Sequence, residues 1–201
     1  AYCNWLSEHE GIPKEQWCYE PNNDGNYDNG MKMAPNYLKL TGYRLATEAE
    51  MEYATRAGAV TARYFGETDS LLPNYAWYQK NSQQKTWPVG SLKPNDLGLF
   101  DVQGNVDTWC QESYKDYQSG KEGEMVEDRE DDLVILSTRS RVLRGGSFVD
   151  PASLMRSANR NLYVPTDPVV NFGFRLARTL PLGSITALPP TPQGVAIKNG
   201  H

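Results

Sequence analysis

Apolar positions along this chain keep a regular period over only short stretches, with long polar intervals between. Tyr2, Leu6 and His9 fall on one helical face with Trp5 beside them, which predicts a helix ending near His9 and stopped by Gly11 and Pro13. From Trp17 to Tyr37 the chain is rich in Asn, Asp, Gly and Tyr, the composition of a loop or an irregular hairpin. The strongest local signal is Thr47-Glu48-Ala49-Glu50, a capping box in which the Thr47 hydroxyl serves the Glu50 N–H and the Glu50 carboxylate reaches back. Ala49, Tyr53 and Ala57 follow at helical spacing and Gly58 closes the segment, so a short amphipathic helix begins directly after Tyr43-Arg44-Leu45.

Farther on, Arg63 to Leu99 is interrupted by Gly, Pro, Asn and Trp. The run from Ser113 to Ser140 is dominated by acids and predicts a solvated insertion loop. Arg141-Val142-Leu143-Arg144 and Phe174-Arg175-Leu176-Ala177-Arg178 read as strands. Beyond Thr179, the segment holding Pro189, Pro190 and Pro192 is too Pro-rich and polar for a core. The expected organisation is one domain over residues 1–179 and a tail over 180–201, without internal repeats.

Composition narrows the class. A chain of 201 residues supports one sizeable core. With 39% hydrophobic and 22% charged residues and a formal net charge of -5, it lacks the basic excess of a nucleic-acid binder. Five Trp and 12 Tyr against five Phe suit a loop-rich core, where polar ring edges bond backbone groups left outside ladders. No apolar run approaches membrane-spanning length, and no signal-like segment is visible. The opening Ala1 in place of an initiator Met reads as a fragment or a processed form. Cys3, Cys18 and Cys110 are odd in number and far apart. They read as structural thiols of a reducing compartment, which favours the cytoplasm, or as one disulfide with a spare thiol.

A family resemblance emerges from motif order: Gly42-Tyr43-Arg44-Leu45-Ala46-Thr47-Glu48-Ala49-Glu50, Pro88-Val89-Gly90-Ser91, Pro94-Asn95-Asp96-Leu97-Gly98-Leu99-Phe100-Asp101, Gly104-Asn105-Val106, Arg144-Gly145-Gly146-Ser147 and Gly173-Phe174-Arg175-Leu176-Ala177-Arg178. Together they resemble the formylglycine-generating enzyme, or sulfatase-modifying factor, family from about residue 1 to Arg178, with the family's N-terminal portion missing. The resemblance implies an α+β fold of C-type-lectin type, with small twisted antiparallel sheets, about two helices and much irregular backbone. Within that frame Gly145 and Gly146 allow special backbone or close approach, Gly104-Asn105 makes a tight turn, and Arg144 and Arg175 pair with the acidic helix start or with freed carbonyls.

The enzymes of this family carry a copper(I)-binding cysteine pair between the two C-terminal runs. Here that stretch begins Phe148-Val149-Asp150-Pro151-Ala152-Ser153-Leu154-Met155-Arg156 and holds no cysteine. A carboxylate and a lone thioether do not make a copper(I) site. The iron site of related members needs several histidines, and only His9 and His201 are present. The expectation is neither copper nor iron. Calcium is the cofactor the resemblance does imply, through Asn74, Tyr75 and Asn105. The acid expected downstream is missing from Asp107-Thr108-Trp109.

Two function classes follow. In the first, the chain is a non-catalytic module binding a protein or small molecule through Val149, Asp150, Leu154, Leu162, Tyr163, Val164, Asp167, Val169, Val170 and Phe172, with Tyr163, Val164, Asp167, Val169 and Phe172 pointing outward together. This layout is also similar to the variable proteins of diversity-generating retroelements, whose C-terminal region is mutated. In the second class, it is a divergent oxidoreductase or the accessory domain of a family enzyme or a bacterial protein kinase fusion.

Overall fold

A computed structural model describes residues 1–117, 133–166 and 168–181, so the tail from 182 onward and the middle of the acidic run lie outside the described residues. The chain opens with α1 (Tyr2–His9), whose inward face is polar: Cys3, Asn4 and Ser7 are buried, while Tyr2 and Trp5 are more than half exposed. The inversion has a hydrogen-bonding cause. Asn4 Nδ2 donates to the Tyr19 carbonyl at 2.8 Å, and Ser7 Oγ donates to the Cys3 carbonyl at 2.9 Å while accepting the Tyr43 N–H at 2.9 Å. The predicted irregular hairpin is β1 (Tyr19–Glu20) against β2 (Lys32–Met33), antiparallel.

Next come β3 (Arg44–Leu45) and α2 (Glu48–Arg56). The capping box forms as expected, with Glu50 N donating to Thr47 Oγ1 at 3.1 Å and Thr47 N donating to Glu50 Oε2 at 2.9 Å. Termination uses Ala57 in the left-handed region (φ 48°), followed by Gly58. The burial face differs from the Ala49–Tyr53–Ala57 stripe: Tyr53 is 73% exposed, and Glu48, Met51 and Thr55 point inward. Glu48 can sit inside because arginines from the sheet neutralise it there, so the acid and not the ring decides the helix's rotation.

The central sheet comprises β4 (Asp107–Ser113), β5 (Arg141–Arg144), β6 (Arg160–Tyr163) and β7 (Phe172–Phe174), in the order β6-β5-β4-β7. β5 is antiparallel to both β4 and β6, and β7 runs parallel to β4. The single strand expected over 174–178 is two strands. β7 pairs with β4, and β8 (Leu176–Ala177) pairs antiparallel with β3, with Arg175 at the change of partner. The end of the predicted insertion is also docked, not solvated. Met33 N donates to the Leu133 carbonyl and Ile135 N to the Met31 carbonyl, each at 2.8 Å. Leu133 and Ile135 pack on the core of Cys18, Tyr19, Met33, Tyr37 and Leu40.

At Gly104 (φ 76°) an added Cβ would meet the Trp77 carbonyl oxygen at 2.4 Å, and at Gly146 (φ 72°) it would meet Met155 Cε at 2.2 Å. Gly104 thus allows close backbone approach, and Gly146 leaves room for the Met155 side chain. Among the described residues no helix is long and apolar enough to cross a membrane.

Candidate functional site

Two arginine–carboxylate clamps hold α2. In the first, Arg44 forms a bidentate pair with Glu50 at 2.6 and 2.7 Å. Burial opposes the Glu50 charge, but the Arg44 hydrogen bonds outweigh it and hold Glu50 below the usual carboxylate range. In the second, Arg144 pairs with Glu48 at 2.9 Å and also with Glu52, and donates to the Ser157 and Asn159 carbonyls at 3.1 Å. Arg160 completes it, with Nε and one terminal nitrogen each 2.7 Å from Glu48. Arg144 and Glu48 are both buried, so the expected pairing with the acidic helix start is present and fully desolvated.

A polar knot joins three further segments. Asp150 Oδ2 accepts from Ser147 N at 2.8 Å and from Ser147 Oγ at 2.6 Å. Asn171 Nδ2 donates to that same Oγ at 3.0 Å, and its carbonyl accepts the Asp107 N–H at 2.9 Å. Asp107 Oδ1 accepts the Gly146 N–H at 3.0 Å. Burial first, and the neighbouring Asp150 carboxylate second, push Asp107 up to about 7, with the Gly146 N–H acting in the opposite direction. Sequence reasoning missed Asp107, Ser147 and Asn171. The available signal was weak: Asp107 stands between Val106 and Trp109 at the start of a strand that also carries Gln111 and Glu112.

The ten predicted contact residues divide. Leu154 packs on the core of Leu72, Ala76, Tyr78 and Met155. Asp150 belongs to the knot. Tyr163 and Phe172 do meet, with ring centroids 5.0 Å apart, but they pack with Trp109, which lies 5.5 Å from Phe172, and both are half-buried. Val164 and Val169 are half-buried too, and Asp167 lies outside the described residues. Val149, Leu162 and Val170 are exposed, Val170 at 85%. Beside the aromatic trio opens an apolar cleft of about 380 Å³ lined by Tyr2, Tyr19, Trp109, Ile135, Pro165 and Phe174.

For metals, Cys3, Cys18 and Cys110 are all free and buried, and burial pushes the Cys18 thiol up to about 11. With no cysteine near Asp150 and with Met155 fully buried, the residues present do not fit a copper(I) thiolate pair. Among the described residues no three His, Cys, Asp or Glu side chains gather as a metal site. Asn74 is exposed, and its carbonyl accepts the Lys93 N–H at 2.9 Å. The Tyr75 ring stacks on Phe65, with centroids 4.4 Å apart. Both polar atoms of the Asn105 side chain bond the Trp87 backbone, accepting from N at 3.0 Å and donating to O at 3.1 Å.

A sheet with a crossed-over parallel edge strand, a capped helix clamped on it and long ordered loops define a C-type-lectin-like scaffold. The chain belongs to the sulfatase-modifying factor enzyme 1-like domain family, whose model matches residues 1–180. It is 32% identical over 170 residues to the formylglycine-generating enzyme of Streptomyces coelicolor, covering 77% of this chain and 52% of that protein. It therefore spans about half the length of that relative. It is also 32% identical over 152 residues to the serine/threonine-protein kinase pkn1 of Chlamydia pneumoniae, 73% of this chain and 23% of the kinase. Among solved structures it resembles variable protein 1 of Treponema denticola, with a TM-score of 0.74 and 32% identity, over 88% of this chain and 66% of that one.

Proposed function

We propose that this chain is a non-catalytic recognition module built on the family scaffold, binding a protein or small-molecule target through the loops between Gly146 and Gly173. The observation that carries the reading is the content of the region where the family's copper chemistry would sit. Asp150 and the buried thioether of Met155 occupy it, Asp150 being tied to Ser147 and through that hydroxyl to Asn171, while Val149, Leu162 and Val170 project to solvent nearby. The likeness to a variable protein supports a scaffold whose loops are diversified. The likeness to a region covering under a quarter of a kinase supports a second reading, an accessory domain of a larger protein.

Incubation with copper(I) and a cysteine-containing sulfatase peptide, read by mass spectrometry, tests the non-catalytic half. The expected outcome is unchanged peptide, and an aldehyde product would overturn it. Calcium is proposed at Asn74 and Tyr75 through amide and carbonyl oxygens, with Asn105 as a second position. Millimolar calcium is expected to raise the melting temperature slightly over chelator, by mass action on the folded state, and Asn74→Ala to remove the shift. Identical melting curves would dismiss the site.

A further inference from the structure

A second cleft opens between the 89–101 segment and the β4–β7 edge, bordered by the 146–173 loops through Asn105 and Val106. Its volume is about 490 Å³, and its walls include Val89, Leu99, Val106 and Phe174 with two charged residues, Arg175 and Asp101. Arg175 donates to the Phe100 carbonyl and, among the described residues, makes no ion pair. Burial holds its guanidinium below its ordinary range, with Asp101 partly offsetting that. Asp101 does not reach ion-pairing distance, and its Oδ2 is engaged by the Gly90 N–H at 2.7 Å. The half-buried guanidinium bonds one carbonyl among the described residues, so further N–H donors remain open to the cleft.

We propose that this cleft binds a ligand with a single carboxylate and an apolar body, the carboxylate pairing with Arg175 and the body lying on Val89, Leu99, Val106 and Phe174. The planar fork of N–H donors left after the Phe100 contact matches a carboxylate. The cavity is of the size that encloses a small organic ligand. Asp101 sets the charge limit. One negative group already lines the cleft, so a monoanion is tolerated where a doubly charged phosphate is repelled.

The test is calorimetric titration of the intact chain with benzoate and with benzamide at low ionic strength. Benzoate is expected to saturate one site, with benzamide roughly tenfold weaker or worse, since a charge-assisted pair is exchanged for a neutral one. Two variants leave the fold alone. Asp101→Asn keeps an acceptor for the Gly90 N–H, tolerates the local φ of 52°, and is expected to tighten benzoate several-fold. Val89→Asp, at a position 83% exposed on the rim, is expected to weaken it. Arg175→Gln is expected to lose benzoate binding, and if that variant does not fold, the rim and Asp101 variants decide alone. Equal affinity for benzoate and benzamide, indifference to both charge changes, or benzoate binding that survives Arg175→Gln in a folded protein overturns the proposal.

Discussion

The clamp beneath α2 and the loop region after β5 lie next to each other and are built on opposite logic. In the clamp, buried charges meet partners held by regular elements: Glu48 from the helix start, Arg144 from β5 and Arg160 from β6. In the loop region, polar groups are spent on holding irregular backbone in one shape, and the apolar side chains left over are divided between a ring cluster and solvent. Each charge in the clamp has several partners, whereas the loop surface has positions whose side chains are largely in solvent. The scaffold can therefore keep its shape while the loop residues vary, which is what a recognition module requires.

The largest effect should come from opening the clamp. Arg144→Met removes the cation and leaves Glu48, which is 4% exposed, with Arg160 as its remaining arginine and Glu52 with Arg56. Breaking a buried pair from one side typically costs about 3–5 kcal/mol, and the surviving Arg160 contact places the expected loss near the lower end. Urea unfolding at neutral pH measures it. A loss under about 1 kcal/mol would mean the clamp contributes no more than a surface ion pair.

The polar knot gives an intermediate, pH-dependent effect. An unfolded aspartate titrates near about 3.9, and in the folded chain Asp107 is pushed up to about 7. A raised folded pKa means the native state holds the proton more tightly. Its stabilising contribution is full below about pH 4, falls as pH rises through the window, and is gone above about pH 7. Asp107→Asn mimics the protonated acid, with its oxygen accepting the Gly146 N–H and its amide facing Asp150. The difference between variant and parent stability should grow in the variant's favour from pH 4 to 7 and then level. A flat difference across that window would mean that burial and Asp150 do not raise the Asp107 pKa.

These two regions also differ in how far the sequence disclosed them. Capping chemistry is local, so Thr47 and Glu50 announced α2 without help from the fold. The rotation of that helix was not legible, because Glu48 faces inward only when Arg144 and Arg160, roughly a hundred residues later, arrive beneath it. The framework motifs signalled the family and the lectin-like architecture through their order. They could not show that β7 and β8 choose different partners around Arg175, since strand pairing is decided by distant residues. In the loop region the motif gap singled out a segment, yet an alternation of apolar and polar residues there does not tell a ring that packs on Trp109 from a side chain in water. Asp107 was overlooked because an acid beside a turn reads as solvated until the sheet encloses it.

The smallest effects sharpen the comparison most, because they test whether the loop surface is separable from its own support. Phe172 touches Trp109 and Tyr163, so Phe172→Ala loses both ring contacts and half-buried area. Fully buried aromatic truncations cost about 3–5 kcal/mol and aromatic pairs contribute about 0.5–1.5 kcal/mol, so a loss of about 2 kcal/mol is expected. Val170, two residues earlier, is 85% exposed, and Val170→Asp should stay within about 0.5 kcal/mol. The same division should hold for libraries displayed on cells and sorted for protease resistance. Randomising Val149, Leu162 and Val170 together should leave most members folded, whereas randomising Leu154, Tyr163 and Phe172 should leave few, because the latter set rests on Trp109 and on the Leu72–Tyr78 core. If both libraries collapse alike, the exposed valines and leucine are part of the framework and the proposed binding face is wrong. If both survive alike, the aromatic trio is as replaceable as the solvent-facing residues, and the proposed separation of loop surface from support is wrong.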